Sequence, residues 1–322
     1  MSIIDEQVES FISFKQGLGI QMISEACAMR QFKNYAESIG HSGSITVELA
    51  VSWAQSGNHA EGYGIKKYEM ARRISEYAAV FDDSIPRLPA GLLGKTNNRI
   101  TPYIYTDEEV SLLMRAASGF YSMQDPLRSL AYEAMIGILH STGMRPFEAL
   151  ALEDNDFDRD NQILMIRKAK NNRERMIPVD SRTACALIAY LKKRDELRDS
   201  KTCKRLIVTQ GDKPLGLSGF QTAFYELRCI LLNRGEVWER RPPRPYDLRH
   251  TYAVQTLLRW YKEKEDINAL LPVLATYMGH SSISETYWYL TGTPELMEVA
   301  VSAFENLAKA GEGSWNMRVS KP

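Results

Sequence analysis

Residues 162–180 read QILMIRKAKNNRERMIPVD, and this stretch decides the fold class. QILMIRK and RMIPVD are short apolar runs separated by a polar turn over Ala169 to Arg173, the pattern of a β-hairpin. It is the only clear β signal in the chain; on both sides of it the apolar periodicity is helical. The expectation is a mainly α protein with a small antiparallel β-sheet, α+β in class.

Upstream of the hairpin, TDEEVSLLMRAA opens with Thr106 as a cap and acids in the first turn, a helix start. A helix over Leu127 to His140 follows, rich in Ala, Leu and Met. HSTGMRPFEALALED ends that helix at Gly143 and starts another with Pro146 at its first position. Residues 1–85 read as helices alone, with VESFISFKQGL, MRQFKNYAESI and YGIKKYEMARRISEYAAVF as periodic stretches. In SITVELAVSWAQS, Ser44 or Thr46 is the natural cap. Residues 86–103, with early prolines, glycines and paired asparagines, read as a linker. Downstream come two helices, then segments holding Arg249 and Tyr289. The organisation expected is a helical domain over 1–85, a linker over 86–103, a second domain over 104–292, and a helix and tail over 293–322.

The 322 residues can bury a sizeable core, most naturally as two domains. No apolar run approaches the roughly 20 residues that span a bilayer, and MSIIDEQVES has neither the basic flank nor the apolar region of a signal peptide. Cys27, Cys185, Cys203 and Cys229 are scattered, which fits a reducing cytoplasm and suggests neither disulfides nor zinc. There is no phosphate-binding G-x-x-x-x-G-K-[ST] loop and no carboxylate cluster of the two-metal kind, so neither cofactor nor metal is expected. Net charge is zero, which argues against a protein that coats nucleic acid by charge alone. Two local basic patches remain, one carrying Arg167, Lys168, Arg173 and Arg175, the other Arg240, Arg241 and Arg244. Such runs are usually solvated faces; their other reading is a DNA contact.

Several side chains sit where placement suggests chemistry. Arg145 lies at a helix N-terminus, and Asp247 reads as a cap that puts Arg249 and His250 in a first helical turn. Guanidinium groups beside helix N-termini are costly unless an anion offsets them, and a phosphate would serve both. The bland alternative pairs Arg145 with Glu148 or Asp154, and Arg249 with Asp247. Lys170 sits in the hairpin turn, where it is either solvated or able to reach into a groove. In HSSISETYWYL (280–290), Gly279 would end one helix and Ser281 or Ser282 cap the next. Helical spacing puts Tyr287 on a stripe with Ile283 and Leu290, and Tyr289 on one with Ser282, Glu285 and Thr286. Tyr287 is thus expected in the core, with the Tyr289 hydroxyl facing solvent or a ligand.

In order along the chain, STGMRPFEALALEDNDFD, RKAKNNRERMIPVD, RPYDLRHTYAV and YMGHSSISETYWYL resemble the four boxes of the tyrosine recombinase (phage integrase) family, from about Thr106 to Met297. The wording around LLRWY and TYWYLTGTPELM resembles a subgroup carried by bacterial transposons. The resemblance implies a tyrosine-recombinase-type catalytic domain and an N-terminal domain that clamps DNA. It implies strand cleavage and rejoining through a 3′-phosphotyrosine at Tyr289, nine residues after His280, for a mobile element. Arg145 and Arg249 would hold the phosphate, Lys170 would protonate the 5′-oxygen and His280 would hydrogen-bond the phosphate. The position three before the second arginine, usually histidine in the family, is Tyr246 here, so Tyr246 or His250 would complete the site. The implied partners are double-stranded DNA at specific sites, further copies forming a tetramer on paired sites, and partner recombinases or accessory proteins, in the cytoplasm at the nucleoid. A type IB topoisomerase-like enzyme and a non-catalytic DNA-binding relative are the alternative readings.

Overall fold

The computed structural model describes residues 2–20, 22–59, 61–94, 101–120, 123, 125–167, 174–198, 200–233, 235, 242–292 and 296–297. The chain divides into two compact units, Met1–Ile100 and Thr101–Pro322.

Among the described residues the first unit holds four helices: α1 (Ile3–Gly17), α2 (Ile23–Ser38), α3 (Val47–Gln55) and α4 (Glu61–Ala78). Thr46 is the cap of α3, its hydroxyl accepting from Leu49 N at 3.2 Å. Val8, Phe11, Met29, Phe32, Ala50, Trp53, Tyr68 and Ile74 form one core. The start of the expected linker belongs to this unit. Leu88 is buried in the same core, and Tyr68 donates its hydroxyl to the Pro89 carbonyl. Residues 95–100 lie outside the described residues.

The second unit opens with Tyr103 and Tyr105 buried in its core, ahead of α5 (Asp107–Ser118). Thr106 and Glu109 form a reciprocal capping box at the start of that helix. The helices α6 (Pro126–Thr142) and α7 (Pro146–Ala151) follow. Between them Gly143 adopts a left-handed φ of 61°, and a Cβ there would stand 2.5 Å from the Tyr252 ring, so only glycine fits. The hairpin is β2 (Ile163–Ile166) and β3 (Arg175–Pro178), extended by the two-residue β1 (Phe157–Asp158) into an antiparallel sheet of order β1-β2-β3. The facing pair Leu164 and Ile177 is fully buried, while Met176 points outward. After α8 (Ser181–Leu197), a second two-stranded ladder pairs β4 (Val208–Thr209) with β5 (Lys213–Pro214). Strands of two residues are too short to show alternation, so β1, β4 and β5 escaped the sequence reading.

The remaining helices among the described residues are α9 (Leu217–Asn233), α10 (Asp247–Glu263), α11 (Ile267–Met278) and α12 (Ser284–Gly292). Asp247 is not the cap of α10 but its first residue. Its buried carboxylate turns back to accept from Arg244 N at 2.7 Å. Gly279 ends α11 in the left-handed region, and Ser282 Oγ accepts from Ser284 N at the start of α12. Of the expected tail, nothing beyond Leu296 and Met297 is among the described residues. No helix among the described residues is long and apolar enough to cross a membrane.

Candidate active site

Four segments meet at the C-terminal end of α11. Helix C-termini leave carbonyls without intrahelical partners and carry partial negative charge. Three arginines settle on three successive carbonyls there. Arg175 Nε donates to Tyr277 O at 2.9 Å, Arg249 Nη2 to Met278 O at 2.8 Å, and Arg145 Nη2 to Gly279 O at 2.8 Å. The offset that the sequence reading sought in a phosphate is thus partly supplied by the protein itself.

Arg249, in the first turn of α10, is 1% exposed. Its Nη1 donates to Gly143 O at 2.8 Å, and its Nε is buried with no hydrogen-bond partner among the described residues. Burial lowers its pKa from the usual guanidinium value, with the neighbouring Arg145 charge adding to the effect. Asp247, the partner of the bland reading, is turned toward Arg244. Arg145 does have a local acid: its Nη1 and backbone N both donate to Glu148, at 3.1 and 2.9 Å. Burial would raise the Glu148 pKa, but Arg175 and Arg145 together hold it below the ordinary carboxylate value.

The tyrosine faces are the reverse of the sequence expectation. Tyr287 and Ile283 are exposed at 44% and 40%, whereas Tyr289 is 2% exposed and Thr286 fully buried. Tyr289 packs with Val254, Leu257, Leu274 and Met278 of α10 and α11. Amphipathic counting fails in this one short helix because Thr286 has a partner outside the helix: its hydroxyl lies 2.6 Å from His280 Nδ1. A satisfied threonine buries readily, and the stripe inverts. The Tyr289 hydroxyl lies 2.9 Å from His250 Nδ1. Burial drives its pKa well above the ordinary phenol value, against the pull of the Arg249 charge, so the free protein carries the phenol and not the phenolate. His280 lies nearly parallel to the Tyr289 ring, with centroids 6.2 Å apart. Burial, then the Arg249 and Arg145 charges, push its pKa down to about 3, so the ring is neutral at pH 7. Tyr246 is 39% exposed and packs edge-on against His250, centroids 5.2 Å apart.

Arg145, Arg249, His250, His280, Tyr246 and Tyr289 are therefore brought together. Lys168, Lys170, Arg173, Arg240 and Arg241 lie outside the described residues. Of the other basic residues, Arg167 is half-exposed and paired with Asp156 at 2.5 Å. Arg244 approaches Asp247 at 3.4 Å. Arg175, read from the sequence as part of a solvated or DNA-facing patch, is instead turned inward with both ends of its guanidinium on Glu148. The signal was available: Arg175 is two residues before Ile177, so strand alternation puts both on the buried face. The Thr286 contact to His280 had no sequence signal. Among the described residues, no three His, Cys, Asp or Glu side chains gather to hold a metal ion.

A buried, partly unsatisfied guanidinium pair beside a protonated phenol and two imidazoles is suited to bind a tetrahedral anion and direct a hydroxyl at it. Comparisons with known proteins give the family. The phage integrase family matches residues 103–295. A Sinorhizobium fredii protein named as an integrase/recombinase, y4rB, is 32% identical over 309 residues, covering 95% of this chain and 98% of its own. The tyrosine recombinase XerD of Bradyrhizobium diazoefficiens is 25% identical over 76% of this chain and 78% of its own. The Tn1549 transposon integrase, solved with a circular intermediate DNA, shares the fold with a TM-score of 0.67 at 17% identity, covering 95% of this chain and 100% of that one.

Proposed function

Because this chain belongs to the phage integrase family of tyrosine recombinases, we propose that Tyr289 is its nucleophile, working with Arg145, Arg249 and His250 on a DNA phosphodiester. The protein is a site-specific recombinase, a tyrosine-type DNA strand transferase. The observation that carries the residue assignment is Arg249, buried without a carboxylate partner and with Nε unpaired among the described residues. A buried cation held only by carbonyls and with a spare donor is left to be completed by an anion in the working complex.

In this reading Arg145 and Arg249 take the two non-bridging oxygens of the scissile phosphate. The Tyr289 oxygen attacks phosphorus, its proton passing to His250 Nδ1 at 2.9 Å. The bond from phosphorus to the 5′-oxygen breaks, and Lys170 supplies the proton to that leaving group. The DNA is then joined to Tyr289 through its 3′-phosphate. Attack by a 5′-hydroxyl of another strand reverses each transfer and frees the enzyme. Phosphodiester bonds are conserved, so no nucleotide hydrolysis is required. His280, neutral and held by Thr286, donates to a phosphate oxygen, and the half-exposed Tyr246 hydroxyl is a second donor.

The remainder of the reading extends to the whole protein. Residues 1–85 bind the duplex as a clamp, and four copies act on paired sites of a mobile element at the nucleoid, with or without partner recombinases. The family membership and the helical first unit support it. The deciding experiment is denaturing-gel detection of a covalent adduct on nicked DNA carrying the ends of the element. The wild-type protein forms it. Tyr289→Phe binds the same DNA and forms none, and Tyr287→Phe forms it at close to the wild-type rate. Attachment that depends on Tyr287 and survives loss of the Tyr289 hydroxyl overturns the assignment.

A further inference from the structure

Glu148 is a fully buried carboxylate in demand from two sides. Arg175 meets it with both arms, Nη1 to Oε1 at 3.0 Å and Nη2 to Oε2 at 2.7 Å. Arg145 gives it one weaker side-chain bond, Nη1 to Oε1 at 3.1 Å. We propose that Arg175 is a positioning residue that occupies Glu148 and so leaves Arg145 for the DNA phosphate, rather than being a DNA contact itself. The proposal rests on the assignment of Arg145 to the phosphate.

Three observations carry it. First, the Arg175 side chain is only 11% exposed, and its Nε is also spent, on Tyr277 O. Its fork and Nε commit three of its five N–H donors within the protein. Second, the packing is made for an arginine at this place. Gly279 has a φ of 67°, and a Cβ there would stand 2.7 Å from Arg175 Nη1. The guanidinium takes the space that a side chain at this position, immediately before His280, would need. Third, bidentate arginine–carboxylate pairing is the strongest claim a cation makes on a carboxylate. Without it, a buried negative charge keeps Arg145 as its remaining cationic partner, and Arg145 turns from Gly279 O and the phosphate into the ion pair. A lysine cannot replace the fork, since an ammonium is a point charge.

The inference therefore concerns the sign of a coupling. Loss of Arg175 harms the reaction through the Glu148 charge, so removing that charge relieves the harm. The test compares the full-length wild type with Arg175→Gln, Glu148→Gln and the double variant, for covalent attachment rate and for DNA affinity across salt. Arg175→Gln should attach about a hundredfold more slowly, the scale of a misplaced reacting group. The double variant should recover at least about tenfold of that. A glutamine at 148 still accepts from Arg145 N, and no longer holds the Arg145 guanidinium by charge. The salt slope of binding should match the wild type. If Arg175→Gln does not fold, Arg175→Lys, which keeps the charge and loses the fork, carries the same comparison with a loss of about tenfold, relieved again by Glu148→Gln. A salt slope reduced by about 0.9 would make Arg175 a phosphate contact and overturn the proposal. So would an Arg175 variant attaching at the wild-type rate, or a double variant no faster than the single one. A wild type that forms no adduct refutes the nucleophile assignment instead.

Discussion

Two tyrosines separated by one residue carry opposite environments, and the buried one faces the cationic site. Burial raises the Tyr289 pKa, so in the proposed role of nucleophile it depends on a neighbour that removes the proton, and His250 Nδ1 is within reach. His280 is a second residue whose environment can be measured. Its folded pKa of about 3 lies below the roughly 6.5 of an unfolded histidine, because burial and the Arg249, Arg145, His250 and Arg175 charges oppose a proton. The unfolded chain therefore binds the proton first. The stability due to a neutral His280 is complete above about pH 6.5 and is lost as pH falls toward 3. Chemical denaturation at pH 7 and pH 4 should show His280→Gln losing less stability across that interval than the wild type. An equal loss in both proteins would mean that His280 is not held neutral. Arg175 shows what parity could have revealed: the same alternation that buries Ile177 points Arg175 inward, yet a basic sequence patch invites reading it as surface.

At the level of elements, the β2–β3 hairpin is set by its inward pair. Leu164 and Ile177 face each other with no exposure, while Met176 is 62% exposed on the other side. Leu164→Ala should cost about 2–5 kcal/mol of unfolding free energy, the usual range for emptying a buried leucine site. Met176→Ala should change it by less than about 0.5 kcal/mol, as exposed substitutions do. Urea titration of both variants checks the register, and comparable losses would overturn it. Helix starts followed the sequence closely where a side chain does the capping, as at Thr46 and Thr106. They failed at Asp247, whose carboxylate is engaged by Arg244 on the preceding segment. The face of α12 failed for the related reason that Thr286 bonds His280, outside its own helix.

For the whole molecule, a net charge of zero conceals an uneven distribution. Arg145, Arg175 and Arg249 lie around one helix end, with Glu148 as the carboxylate among them. Binding to DNA should therefore depend steeply on salt despite the neutral total, with log affinity falling by about 0.9 per phosphate neutralised for each unit of log salt. Affinity measured from low to physiological salt tests this, and a nearly flat response would overturn the assignment of Arg145 and Arg249 to DNA. The two compact units each enclose a core of their own, which fits the composition of a 322-residue chain.

The sequence by itself determined the mainly helical class, the β2–β3 hairpin, the caps made by local side chains, and the order of the segments that carry Arg145, Arg249, His280 and Tyr289. Those are local matters, fixed by periodicity and by contacts within a few residues. The tertiary structure alone decided which tyrosine is buried, that the C-terminal carbonyls of α11 receive three arginines, and that Arg175 rather than Arg145 holds Glu148 by the fork. Each of these pairs a donor with an acceptor far away in sequence. A buried polar group goes where its hydrogen bonds and charge are satisfied, and no periodicity within one segment records where that partner lies.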